Sequence, residues 1–263
     1  MIKFIILLKQ KICIFLIKLG CYFNFPIITA FILYFILFRS KKIKVNRTYK
    51  KTAIIFYKSN GISDIESSFN NNKSKNRILL LERMYLREIN YFFLKKNNFF
   101  NFFNFYKSSI KQHIKSKKNQ KYYIFLTKII SWLNFFLGNF YFVSFNFAYP
   151  EEFYLRDVCL KKKIPYLILY KESIRTKGNY NLTFGKTYKD TLDFNKNIFK
   201  IAVYNNDTCR ELIKNNIFKK NQINITGMPR SLTSLKKKKN IKKENIKFFL
   251  ISKSAGIPQD KKL

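Results

Sequence analysis

Phe142-Val-Ser-Phe-Asn-Phe-Ala-Tyr149, Pro165-Tyr-Leu-Ile-Leu-Tyr-Lys-Glu172, Lys200-Ile-Ala-Val-Tyr-Asn-Asn206 and Ile223-Asn-Ile-Thr-Gly-Met-Pro-Arg230 are four short apolar runs, each closing in a polar cluster. Segments compatible with a helix separate the first from the second and the third from the fourth. Strand, helix, strand at such spacing predicts a parallel sheet. Ligands of open parallel sheets bind beyond the carboxyl ends of the strands, where these clusters fall. The expected fold class is therefore α/β with a Rossmann-like parallel sheet.

Upstream, Thr52-Ala-Ile-Ile-Phe-Tyr57 reads as a first strand ending in the turn Lys58-Ser-Asn-Gly61, where Gly permits positive φ. Arg77-Ile-Leu-Leu-Leu-Glu82 is a second strand or the start of a helix, which periodicity alone leaves open. Residues 83–95 and 122–137 read as helices. Residues 96–120 are low in complexity, and no fold is assigned to 97–106. A helix over 151–163 follows Tyr149-Pro150, with Glu151 and Glu152 favourably placed in its first turn. A further helix over 207–216 takes Asp207 as its N-cap.

Apolar residues make up 47% of the chain, which suits a folded protein, and the net charge is +38. Such charge suggests nucleic acid. Yet Lys, Asn, Ile, Phe and Tyr are enriched together, as AT-rich coding would produce, and no nucleic-acid reader motif accompanies them. Anionic lipid is the better partner for a basic chain with an apolar start. Four dispersed cysteines and one histidine, His113, cannot supply a zinc site of the usual spacing. Reduced thiols suit a cytoplasmic main body.

Residues 19–38 carry no charge, a length that can span a bilayer as a helix, although Asn24, Pro26 and Gly20 weaken it. Arg39, Lys41, Lys42 and Lys44 beyond it favour a cytoplasmic body. Lys3, Lys11 and Lys18 fall within an arc of roughly 80° on a helical wheel, so a helix lying in the membrane surface competes with the span. A buried first helix and strand of the domain is the third possibility. The lysine-rich segment 234–245 reads as a linker, and Ile246-Lys-Phe-Phe-Leu-Ile-Ser252 as a fresh strand.

Asn146-Phe-Ala-Tyr149, Ile164-Pro-Tyr-Leu-Ile-Leu-Tyr-Lys-Glu172, Val203-Tyr-Asn-Asn-Asp207, Ile217 and Thr226-Gly-Met-Pro-Arg230, with Leu80-Leu-Glu-Arg83 as a weaker early element, give the chain a resemblance. It resembles the N-terminal half of bacterial surface-carbohydrate (capsular polysaccharide) biosynthesis proteins of GT-B glycosyltransferase-like architecture. The resemblance implies two Rossmann-like domains about a cleft, an acceptor side and a donor side. It divides the chain into a membrane-associated segment (1–44), an acceptor-side domain (45–233), the linker and the start of a truncated donor domain (246–263). It further implies a nucleotide-activated sugar donor, a glycan or lipid-linked acceptor, no cofactor or metal, and a place at the cytoplasmic face of the inner membrane. The truncated chain would then be inactive alone. Gly227, Pro229 and Arg230 would form the hinge. Two departures stand out: Ser231 and Leu232 follow Arg230 where an Asp is common, and Lys171-Glu172 stands where related transferases carry His-Gly.

Glycosyl transfer needs a base for the acceptor hydroxyl and positive charge for the departing phosphate. Glu172 is the candidate catalytic base. Lys171 and Arg175 are candidate phosphate ligands, and Asn146 and Tyr149 candidate acceptor-side residues. Equally ordinary roles exist for each, an ion pair for Glu172 and helix packing for Tyr149. Two rival classes remain: a non-catalytic membrane-associated α/β binding module, and a basic nucleic-acid-binding protein.

Overall fold

A computed structural model describes residues 2–39, 51–57, 76–94, 117–145, 152–170 and 199–227. Six strands, β1 (Lys51–Tyr57), β2 (Asn76–Glu82), β3 (Phe140–Ser144), β4 (Tyr166–Leu169), β5 (Lys200–Val203) and β6 (Ile223–Ile225), form one sheet in the order β2-β1-β3-β4-β5-β6. Every pair is parallel, as the sequence predicts. The ambiguous run before Arg83 is strand β2.

β1 lies second from the edge and is apolar on both faces, with Thr52, Ala53, Ile54, Ile55 and Phe56 all buried. Burial on both sides is what a continuous apolar run in a parallel sheet signifies. Alternate side chains part company. Ile54, Phe56, Leu79, Phe142, Ile168 and Val203 join the main core with the described helices, while Ala53, Ile55, Leu80 and Val143 form a second cluster on the opposite face. Phe56 stacks on Phe142 at 5.2 Å between ring centroids, and an offset pair of this kind adds to what burial alone gives.

On the main-core face lie α1 (Ile2–Tyr22), α2 (Pro26–Arg39), α3 (Arg83–Leu94), α4 (Lys117–Leu137), α5 (Phe153–Lys161) and α6 (Asn206–Lys214). The chain runs β2 to β3, β3 to β4 and β5 to β6 in one direction across the sheet, so right-handed crossovers place α3 to α6 together, and α1 and α2, which precede β1, pack onto the same face. The cap of α6 differs from expectation. Asn205, not Asp207, is the N-cap, its side chain accepting from the Thr208 amide at 2.8 Å. Asp207 sits in the first turn beside Arg210.

The uncharged run 19–38 does not form a single membrane-crossing helix. α1 ends at Tyr22, Asn24 takes φ +54°, and Pro26 opens α2. Asn tolerates the left-handed region and Pro suits the first helical position. At 1.5 Å per residue α2 reaches only about 21 Å, against about 30 Å of hydrocarbon. No described helix is long and apolar enough to cross a membrane. The two helices form a hairpin instead. Its inner side chains Ile17, Cys21, Ala30, Leu33 and Leu37 are buried in the main core against α3, α4 and β2.

Candidate functional site

The strand order reverses between β1 and β3. At such a switch point the chains leaving neighbouring strands diverge to opposite faces and open a crevice. Here β2 runs straight into Arg83, the first residue of α3, and β3 ends at Ser144, near the start of α5.

The Arg83 Nε donates to Glu152 Oε1 at 3.1 Å, and the Tyr166 hydroxyl donates to Glu152 Oε2 at 2.6 Å. Ser144 adds a third hydrogen bond. Because β1 lies between β2 and β3, the Arg83–Glu152 pair joins the two strands that flank β1. Glu152 is wholly buried while Arg83 keeps 18% of its side chain exposed. Burial pushes the Glu152 carboxyl above the usual range. Arg83, Ser144, Tyr166 and Arg156 pull it back only in part. The expected first-turn role of Glu152 is thereby corrected. It stands at the N-cap position of α5 without capping it, its carboxyl turned inward.

Alongside, Tyr123 donates to Asp157 Oδ2 at 2.6 Å, and Lys161 pairs with the same oxygen at 3.3 Å. Lys161 also lies over the Tyr123 ring. In chemical terms the Glu152 cluster is a clamp. A carboxyl with no exposed surface cannot meet a substrate hydroxyl, but it can hold β2, β3, β4 and α5 in fixed relation at the edge where a ligand would sit. Sequence reasoning missed this role. The available signal was an Arg directly after an apolar strand and an acid opening the helix after another.

The sequence-derived candidates fare differently. Glu172, Lys171, Arg175, Asn146, Tyr149, Pro229 and Arg230 lie outside the described residues, as does His113. Gly227 is described: it follows β6 with φ +69°, and no described atom lies within 4 Å of where a Cβ would stand. Its backbone angle, not close packing, is what favours glycine there. Just before it, the Thr226 amide donates to the Val203 carbonyl at 2.9 Å, binding the end of β6 to β5.

Among the described residues no three His, Cys, Asp or Glu side chains gather where a metal ion could bind. No disulfide joins Cys13, Cys21, Cys159 and Cys209. Burial pushes the Cys21 thiol up to about 12 and that of Cys159 well above its ordinary value, which removes both as nucleophiles. A concavity of about 530 Å³ at the hairpin tip is walled by Tyr22, Phe92, Phe93 and Ile124 with Lys121 and Lys128, all from helices or the hairpin turn.

No family model matches the chain, and neither a curated protein nor a solved structure matches it significantly.

Proposed function

We propose that the chain is the acceptor-side domain of a GT-B-like transferase of surface polysaccharide, working at the cytoplasmic face of the inner membrane. The reaction moves a sugar or polyol phosphate from a nucleotide-activated donor to a glycan or lipid-linked acceptor. The observation that carries this reading is the six-stranded parallel sheet with its order reversed between β1 and β3. The candidate residues follow its strands in sequence, Asn146 and Tyr149 after β3 and Lys171 and Glu172 after β4, and the turn at Asn60 and Gly61 follows β1. Reversed order makes the ends of β1 and β3 the favoured place for a ligand.

Glu172 takes the proton of the acceptor hydroxyl as its oxygen bonds to the transferred group. The bond to the nucleotide phosphate breaks, and Lys171 and Arg175 hold the phosphate charge, Arg with a two-pronged fork. The Glu152–Arg83–Tyr166 clamp keeps the strand ends fixed beneath.

Equilibrium binding of the full chain to a polyprenyl-phosphate-linked saccharide in detergent micelles tests the assignment. Binding is expected, with Arg175→Ala weakening it about tenfold through loss of a charge-assisted contact. Failure to bind both this probe and a free glycan, or no effect of Arg175→Ala and Lys171→Ala together, would overturn it. A non-catalytic binding module would then be the better description.

A further inference from the structure

Fourteen of the twenty exposed large apolar side chains among the described residues belong to the hairpin and its turn. On α1, Ile5, Leu8, Ile12, Phe15 and Leu19 are between 41% and 63% exposed. At 100° per residue they fall in an arc of about 80°, opposite buried Ile17. Lys9 lies about 40° beyond one edge of that arc, and Lys11 and Lys18 about 40–60° beyond the other. On α2, Ile27, Ile28, Phe31 and Phe35 continue the exposed apolar surface. Phe135 at the far end of α4, 76% exposed, extends it further. Its neighbour Phe136 meets Phe31 at 6.2 Å and Tyr34 at 5.4 Å. Soluble proteins rarely leave a continuous apolar surface of this extent open.

We propose that this outer face of the α1–α2 hairpin seats the chain on an anionic lipid bilayer, lying in the interface without crossing it. Three features select lipid over a second copy of the chain. The apolar stripe is bordered on both sides by lysines, the pattern of a helix resting at the headgroup boundary. Lys121 and Lys128 stand two turns apart on α4 at the hairpin-tip concavity and add positive charge at the edge of the same surface. Two copies carrying +38 each would repel on approach, whereas the negative potential of an anionic leaflet attracts them. Lys18 is held by Glu88 at 3.1 Å, which fixes that border of the stripe to α3. The surface depends on exposed side chains alone and stands whether or not the chain transfers a sugar.

Trp132, the sole tryptophan, stacks on Phe136 at 6.1 Å and serves as a built-in reporter. The full chain is mixed with phosphatidylcholine vesicles, with or without phosphatidylglycerol, carrying bromines at shallow or deep acyl positions. Binding to the anionic vesicles is expected, with Trp132 quenched more by shallow than by deep bromines. Phe15→Asp with Phe31→Asp should lower vesicle binding about tenfold or more, since both side chains belong to the apolar seat. Their exposure predicts only a small change in melting temperature, from the lost Phe31–Phe136 ring contact, and Lys9→Glu with Lys11→Glu should weaken binding to anionic vesicles without touching the apolar stripe. Three results would overturn the proposal: no binding to anionic vesicles, deeper bromines quenching more strongly, or a dimer that protects the hairpin while vesicles are ignored.

Discussion

Glu152 is the residue on which the candidate site turns, because three donors from three different strands or their ends converge on it. Removing the carboxyl would leave the Arg83 charge and the Tyr166 hydroxyl facing a cavity. Glu152→Ala should therefore cost about 3–5 kcal/mol in urea unfolding, the range for breaking a buried pair from one side. A loss below about 1 kcal/mol would place the pair in the class of solvent-relaxed bridges. The pH dependence has a definite sign. With its carboxyl raised by burial, the native state holds the Glu152 proton more tightly than the unfolded chain does. Its contribution to stability is full below the ordinary value of 4.5 and declines as pH rises through the folded value. Glu152→Gln has no such proton to lose. The stability of the wild type relative to this variant should accordingly fall as pH increases above 4.5, read by thermal melting across a pH series.

At the scale of elements, the hairpin is the part whose packing is most sharply constrained. Gly20 faces Thr29, and a Cβ on Gly20 would stand 2.4 Å from the Thr29 Oγ1. Helices approach this closely only where one of them lacks a side chain. Gly20→Ala should destabilise the chain by about 1–3 kcal/mol as overpacking, and adding Thr29→Ala should recover part of that loss in the same melting experiment. Destabilisation that the second substitution leaves untouched would mean that the crowding lies elsewhere. The hairpin also marks what could be read in advance. Asn24 and Pro26 were visible as weaknesses of an uncharged run, but their effect was to fold it back on itself. Strands β1 and β4 were legible because their apolar runs are unbroken. The limits of β3 were not: it begins at Phe140 and stops at Ser144, as the apolar pattern continues past the point where pairing ends. The cap of α6 moved from Asp207 to Asn205 because two capping residues stand two positions apart. The Arg83–Glu152 pair joins residues 69 apart, and no local pattern announces a partner at that distance.

At the scale of the molecule, six helices among the described residues cover one face of a parallel sheet, and the α1–α2 hairpin leaves a broad apolar surface bordered by lysine. The clamp at the strand ends and the hairpin surface serve different ends in this account, ligand geometry and lipid contact. The distinction can be tested by asking where an acceptor touches the chain. A lipid-linked saccharide bearing a benzophenone on its sugar end is cross-linked to the full chain on anionic vesicles, and the labelled peptides are mapped. Label in residues 58–61, 146–149 and 171–175, the segments that follow β1, β3 and β4, is the predicted result. Label confined to the hairpin-tip concavity around Tyr22, Phe92 and Phe93, with none at the strand ends, would contradict it.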